Sequence, residues 1–111
     1  QFFNSKEKDA LKIVSMDLSK SEKGLNFTVT VKIQNTGSND INNAELNLIF
    51  IKDNDIIDSK KQSLYLETNL QGAYSANFIN VPFGNDSTYK AIATISLGND
   101  ILDTQTITKQ F

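Results

Sequence analysis

Residues Leu25 to Gly37 read LNFTVTVKIQNTG, and no other stretch constrains the fold as tightly. Leu25, Phe27, Val29, Val31 and Ile33 take every second position, with Asn26, Thr28, Thr30, Lys32 and Gln34 between them. That period of two belongs to a β-strand with one face buried and one face in water. The strand breaks at Asn35-Thr36-Gly37, a turn signal. A single half-buried strand has no independent stability, so the remaining apolar runs must supply a sheet to cover its inner face.

Those runs are short and turn-bounded. Ala10 to Leu18 reads as a first strand whose alternation slips, as in an edge strand carrying a bulge. Ser19 to Gly24 is a polar turn. After Gly37 a loop tucks Ile41 inward, and Ala44, Leu46, Leu48 and Phe50 alternate cleanly up to Lys52. Asp53-Asn54-Asp55 is a tight polar turn, Ile56-Ile57 begins the return strand, Ser59 to Gln62 reads as a solvated crossing, and Leu64 and Leu66 resume the alternation. Leu70-Gln71-Gly72 marks a turn before Tyr74, Ala76 and Phe78, and Pro82 ends that strand because it has no N–H for a ladder. Thr88 to Leu97 and Ile101 to Phe111 complete the set, the last with Thr104, Thr106 and Thr108 on a wet face. About seven antiparallel strands, with no helical periodicity anywhere, predict an immunoglobulin/fibronectin-like β-sandwich. Residues 10–111 form one domain, and residues 1–9 read as a lead-in or linker with Phe2 and Phe3 as an apolar pair.

The chain contains no His, Cys, Trp or Arg. Most nucleophile–base pairs, transition-metal sites and bidentate phosphate clamps need one of these, so an enzyme is not expected. Eleven Lys stand against 13 acidic residues, spread along the chain, and no basic patch invites nucleic acid. Thirteen Asn, with many Ile and Lys, resemble the usage of AT-rich genomes. No run approaches a membrane span, and the start at Gln1 rather than Met is read as the trace of a removed signal or upstream anchor.

FTVTVKIQNTGSNDINNAELNLIF, TNLQGAYSANF and STYKAIATISLGNDILDTQ together resemble the CARDB (cell-adhesion-related) surface modules of bacteria and archaea. Asn35, Gly37, Leu70, Gly72 and Tyr89 stand at the matching turn and core places. The sequence departs from the family where Gln71 replaces the usual Pro before Gly72, and in its ending. The strand-NTG-strand pattern is also similar to the soluble domains of archaellum stator subunits, which are tethered by an N-terminal membrane helix. Either resemblance implies a non-catalytic module, and the second implies binding to the surface layer or to a sister subunit.

Several residues are candidates for a site. Asp53, Asp55 and Asp58 in DNDIID have the spacing of possible Ca²⁺ ligands, although the Gly and bidentate Glu of an EF-hand are lacking and an Asp/Asn-rich hairpin tip is ordinary turn chemistry. Ile49 and Ile51 make the end of their strand apolar on both faces, so that end is either covered or an exposed contact patch. Asn26 and Asn85 head N-glycosylation sequons. Tyr65 is the one tyrosine with outward phase, a thin basis for sugar stacking. The expected protein is an interaction module of a secreted or membrane-anchored surface protein. Its partner would be itself or a surface-layer or appendage protein; a carbohydrate- or Ca²⁺-binding module is the reading from another class.

Overall fold

The strand expected at the centre of the fold runs from Phe27 to Asn35 in a computed structural model that describes residues 10–21 and 25–111. We number it β2, with β1 at Leu11–Lys20, β3 at Ile41–Lys52, β4 at Asp55–Leu66, β5 at Gln71–Phe78, β6 at Tyr89–Leu97 and β7 at Asp100–Lys109. Two antiparallel sheets result, in the orders β1-β2-β5 and β4-β3-β6-β7. This is the immunoglobulin/fibronectin-like sandwich that the alternation predicts. Residues 1–9 and the end of the expected first turn, 22–24, lie outside the described residues.

The core is the sum of the inward phases. Phe27, Val29, Val31 and Ile33 of β2 face Ala44, Leu46, Leu48 and Phe50 of β3 and Tyr89, Ala91, Ala93 and Ile95 of β6, all buried. Full burial of a side chain such as Phe27 or Leu46 contributes about 2–3 kcal/mol, so β2, β3 and β6 carry most of the stability. At one end the rings condense into a cluster. Phe27 lies 4.6 Å from Tyr89 and 5.2 Å from Phe50, and Phe50 stacks on Phe78 at 5.0 Å.

The slip expected in β1 is a bulge. Pairing with β2 jumps between Ile13 and Ser15, which leaves Val14 as an extra residue, 44% exposed, on an edge strand. Leu25, counted with the alternation of β2, is instead exposed before the strand begins. The stretch Ser59–Gln62 is not a crossing; β4 runs unbroken from Asp55 to Leu66. Its polar character arises because β4 is a sheet edge, where Asp58, Lys60 and Gln62 keep the inward phase of Leu64 yet remain exposed. The turn into β5 also falls earlier than Leu70-Gln71-Gly72. It is built on Glu67 to Leu70, with Asn69 at φ 66°, and Gln71 and Gly72 already pair with β2. A Cβ at Gly72 would sit 2.8 Å from the Tyr74 hydroxyl, so the half-buried phenol would have to shift to admit a side chain there.

Candidate functional site

Four features of the sandwich can meet another molecule: the outer face of the four-stranded sheet, the Asp-rich turn, the sequon loops and the gap between β4 and β5. The outer face is set by the phase opposite to the core. On it Ile49 is the cross-strand neighbour of Ile92 in β6 and of Ser59 in β4, while Ile51 neighbours Lys90 and Ile56. Ile49, Ile51 and Ile92 are half-buried by their neighbours and Ile56 is 69% exposed. The structure therefore brings Ile49 and Ile51 into one aliphatic strip with Ile56 and Ile92, bordered by Asn47, Thr94 and Thr106. Ile92 and Ile56 were legible only in part. An isoleucine between Lys90 and Thr94 breaks the polar phase of β6, but its adjacency to Ile49 depends on register.

The Asp-rich turn is a two-residue hairpin. Asp53 and Asn54, at φ 49° and 75°, occupy its centre between the paired Lys52 and Asp55, as a type I′ turn requires. Asp53 Oδ1 accepts the Thr88 N–H at 2.8 Å, and the Asp53 N–H donates to the Thr88 carbonyl at 2.9 Å. These bonds fasten the turn to the start of β6. The Thr88 N–H, with help from Ser87 and Lys52, holds the Asp53 carboxyl below the usual carboxylate range. Asp58 Oδ1 accepts from the Ser59 N–H at 2.8 Å. Among the described residues no three acidic side chains gather as metal ligands, Asp53, Asp55 and Asp58 included.

Asn26 stands in the turn before β2 rather than on the outward face of that strand, exposed, with its Oδ1 accepting from the Asn80 N–H at 3.4 Å. Asn85 is exposed in the loop between β5 and β6. Tyr65 is exposed, and its hydroxyl donates to Glu67 at 3.3 Å; the Glu67 charge raises the phenol above its ordinary range. No second aromatic ring pairs with it among the described residues.

Two polar devices hold the loops that flank these surfaces, built on Asn35 and Tyr89, whose places the sequence marks but whose roles depend on tertiary contacts. Asn35 is buried; its Nδ2 donates to the carbonyls of Asn39 and Leu66, each at 2.8 Å, and its Oδ1 accepts the Gly37 N–H at 2.9 Å. The Tyr89 hydroxyl accepts from the Gly84 N–H at 2.9 Å and donates to the Pro82 carbonyl at 3.4 Å. The second arrangement is the tyrosine corner of immunoglobulin-like sandwiches, a phenol at the start of a late strand bonded to backbone a few residues upstream. An aromatic at a strand start following a Pro/Gly loop was the available signal.

No protein-family profile matches the sequence, and no curated protein matches it. Solved structures do. A Bacteroides fragilis protein assigned as a β-galactosidase superposes with TM-score 0.70 at 15% identity, over 94% of this chain and 16% of that one. The β-glucuronidase of Parabacteroides merdae gives TM-score 0.61 at 15% identity, over 91% and 14%. A glycosyl hydrolase family 2 member from Bacteroides cellulosilyticus gives 0.62 at 12% identity, over 86% and 14%. At such identities the likeness is one of fold. The chain spans between 14 and 16% of the length of these proteins.

Proposed function

We propose that this sandwich is a non-catalytic interaction module of a larger cell-surface protein, and that it meets a protein partner through the outer face of its four-stranded sheet. The observation that carries this reading is the aliphatic strip of Ile49, Ile51, Ile56 and Ile92 on the water-facing side of β3, β4 and β6. An apolar strip rimmed by polar residues is the usual character of a protein contact surface. The solved structures that share the fold hold it as a small part of a long chain, which supports reading it as a module. Those proteins are described as glycosidases; a module of this kind in a glycan-processing parent would contribute scaffold rather than chemistry.

Sedimentation velocity over a range of concentrations tests the surface. Wild type should self-associate, and a folded Ile49→Lys, Ile51→Lys variant should be monomeric. If both are monomeric and a pull-down from the native cell surface retains the same proteins on both, the strip is not the contact and the reading is overturned. Self-association would bring the protein nearer to the archaellum stator type than to a passive spacer.

A further inference from the structure

The two lateral seams of the sandwich are closed differently. At the seam of β1 and β7 the Ile13 N–H donates to Asp103 Oδ2 at 2.8 Å, and Lys109 Nζ donates to Asp17 Oδ1 at 3.1 Å and to the Leu18 carbonyl at 2.9 Å. These bonds bridge one sheet to the other. At the opposite seam β4 and β5 part around an open cleft of about 280 Å³. Leu46, Leu48 and Ala76 form its apolar floor, and Lys60, Lys61 and Gln62 its rim.

The four strand edges differ as well. An edge strand pairs with foreign strands unless a bulge, a charge or a proline blocks it. β1 carries the bulge at Val14 and charged Lys12 and Asp17. In β4 the register shifts between Phe50 and Ile51 of its partner, leaving Ile57 as an extra residue, and Lys60 and Lys61 follow. β7 has an irregularity at Leu102 and charged Asp103 and Lys109. β5, with the sequence QGAYSANF, has no charge and no proline, and its pairing with β2 runs from Gln71 to Phe78 without a shift. Thr28 Oγ1 donates to Asn77 Oδ1 at 2.8 Å, and Thr30 Oγ1 and Ser75 Oγ lie 3.1 Å apart, which holds the strand straight against β2. Among the described residues, the one undefended edge is thus the edge beside the cleft.

We propose that the β5 edge and the β4/β5 cleft together form a docking site for an extended acidic peptide segment of a partner protein. The segment adds as a fourth strand beside β5. Alternate residues of an edge strand turn their N–H and C=O groups outward, so the main chain supplies the affinity. Alternate side chains of the segment then point one way over Leu46, Leu48 and Ala76. Charge selects the rest. Neither Lys60 nor Lys61 forms an ion pair among the described residues; the Lys60 ammonium lies 5.6 Å over the Phe78 ring, across the mouth of the cleft. Asp58, two residues before Lys60 on β4, keeps its charge, accepts the Ser59 N–H at 2.8 Å and forms no ion pair with either lysine among the described residues, so the pair of lysines leaves the rim net positive. Lys32 on β2, opposite Ala73, adds a positive charge on the outer face of the same sheet, away from the cleft. A second copy docked edge to edge would set these lysines against their own counterparts, whereas carboxylates on the incoming strand would meet them. The cleft opens on the inner side of β4 and the aliphatic strip lies on the outward side of that sheet, with Lys61, opposite the strip's border residue Asn47, at the rim between them.

An NMR titration of the ¹⁵N-labelled protein tests it, with a short blocked peptide alternating Glu and Val and a control alternating Lys and Val. With the Glu-Val peptide at up to about 1 mM, amide shifts should appear in Gln71–Phe78 and Lys60–Gln62, and the β5 amides should exchange more slowly. Lys60→Glu, Lys61→Glu, on an exposed strand where folding is checked from the dispersion of the same spectra, should weaken the Glu-Val peptide roughly tenfold at low salt. The same variant should favour the Lys-Val peptide. The proposal is overturned if the Glu-Val peptide leaves β5 unperturbed, if both peptides bind wild type alike, or if the shifts fall on Ile49 and Ile92 instead. Shifts at β5 that grow with protein concentration without peptide would assign the edge to a second copy and likewise overturn it.

Discussion

Asn35 Nδ2 donates to the carbonyl of Leu66 over 2.8 Å, and this bond ties the end of β2 in one sheet to the end of β4 in the other. The same amide serves Asn39 and Gly37, so one side chain satisfies three backbone groups where two loops meet. Neighbouring bonds extend the joint. The Thr68 hydroxyl donates to the Gly37 carbonyl, and the Thr68 N–H to Asp40 Oδ1 at 2.9 Å.

Asn35→Ala leaves the Leu66 carbonyl and the Gly37 N–H without their buried partner, and the Asn39 carbonyl without its part-buried one, and should cost about 3 kcal/mol. Asn35→Asp should cost at least as much, because a carboxylate cannot donate to the Leu66 and Asn39 carbonyls. Urea unfolding checks both. A loss below about 1 kcal/mol for Asn35→Ala would mean that the loops repack without the amide.

Tyr89→Phe keeps the ring between Phe27 and Phe83 and removes only the bonds to Gly84 and Pro82. The expected cost is about 1 kcal/mol. Tyr89→Ala also empties the aromatic cluster and should cost about 3–5 kcal/mol. Similar losses for the two variants would show that the hydroxyl, not the packing, dominates this corner.

The hairpin tip demands left-handed backbone at two consecutive residues, Asp53 and Asn54. Asn54→Gly should therefore be neutral or slightly stabilising, and Asn54→Val should destabilise by about 1–2 kcal/mol from backbone strain alone. Gly98, at φ 62° with open space around a would-be Cβ, should tolerate Asn better than Val for the same reason. Thermal melts of these exposed variants would expose the ranking, and a stable Asn54→Val would contradict the turn type.

Acid should weaken the fold through two carboxylates. Asp17 titrates below its ordinary range chiefly through its hydrogen bond from Lys109, and Asp53 chiefly through the Thr88 N–H. A carboxylate whose pKa is lower in the folded than in the unfolded chain stabilises the fold above the unfolded value, about 4, and that contribution disappears as pH falls through the folded value. The melting temperature should drop below pH about 4, and less steeply in Asp17→Asn, Asp53→Asn. Added salt should weaken the Asp17 share, since both partners of that pair are exposed. Superimposable pH profiles for the double variant and wild type would exclude these groups.

The alternation in β2, β3 and β6 made the fold class legible, because a period of two with one apolar phase has no other use than a half-buried strand. The irregularity of β1 was legible too, since the apolar residues change phase from Leu11 and Ile13 to Val14, Met16 and Leu18. β4 was legible only at its ends, Ile56-Ile57 and Leu64 with Leu66. Between them, on a sheet edge, Lys60 and Gln62 of the inward phase line an open cleft, so no apolar signal marks the strand's continuity. The candidate surface was half legible: Ile49 and Ile51 announced themselves by breaking the pattern, but Ile56 and Ile92 joined them only through register.

Strand number, sheet class and the identity of the core were thus written in the sequence, because they follow from spacing along the chain. Which edges are guarded, which seam stays open and why Asn35 is buried were decided by tertiary structure. Each depends on residues far apart in sequence, such as Asn35 with Leu66 or Ile13 with Asp103, meeting across two sheets. Local periodicity carries no information about such meetings; only the packing of one sheet on the other creates them.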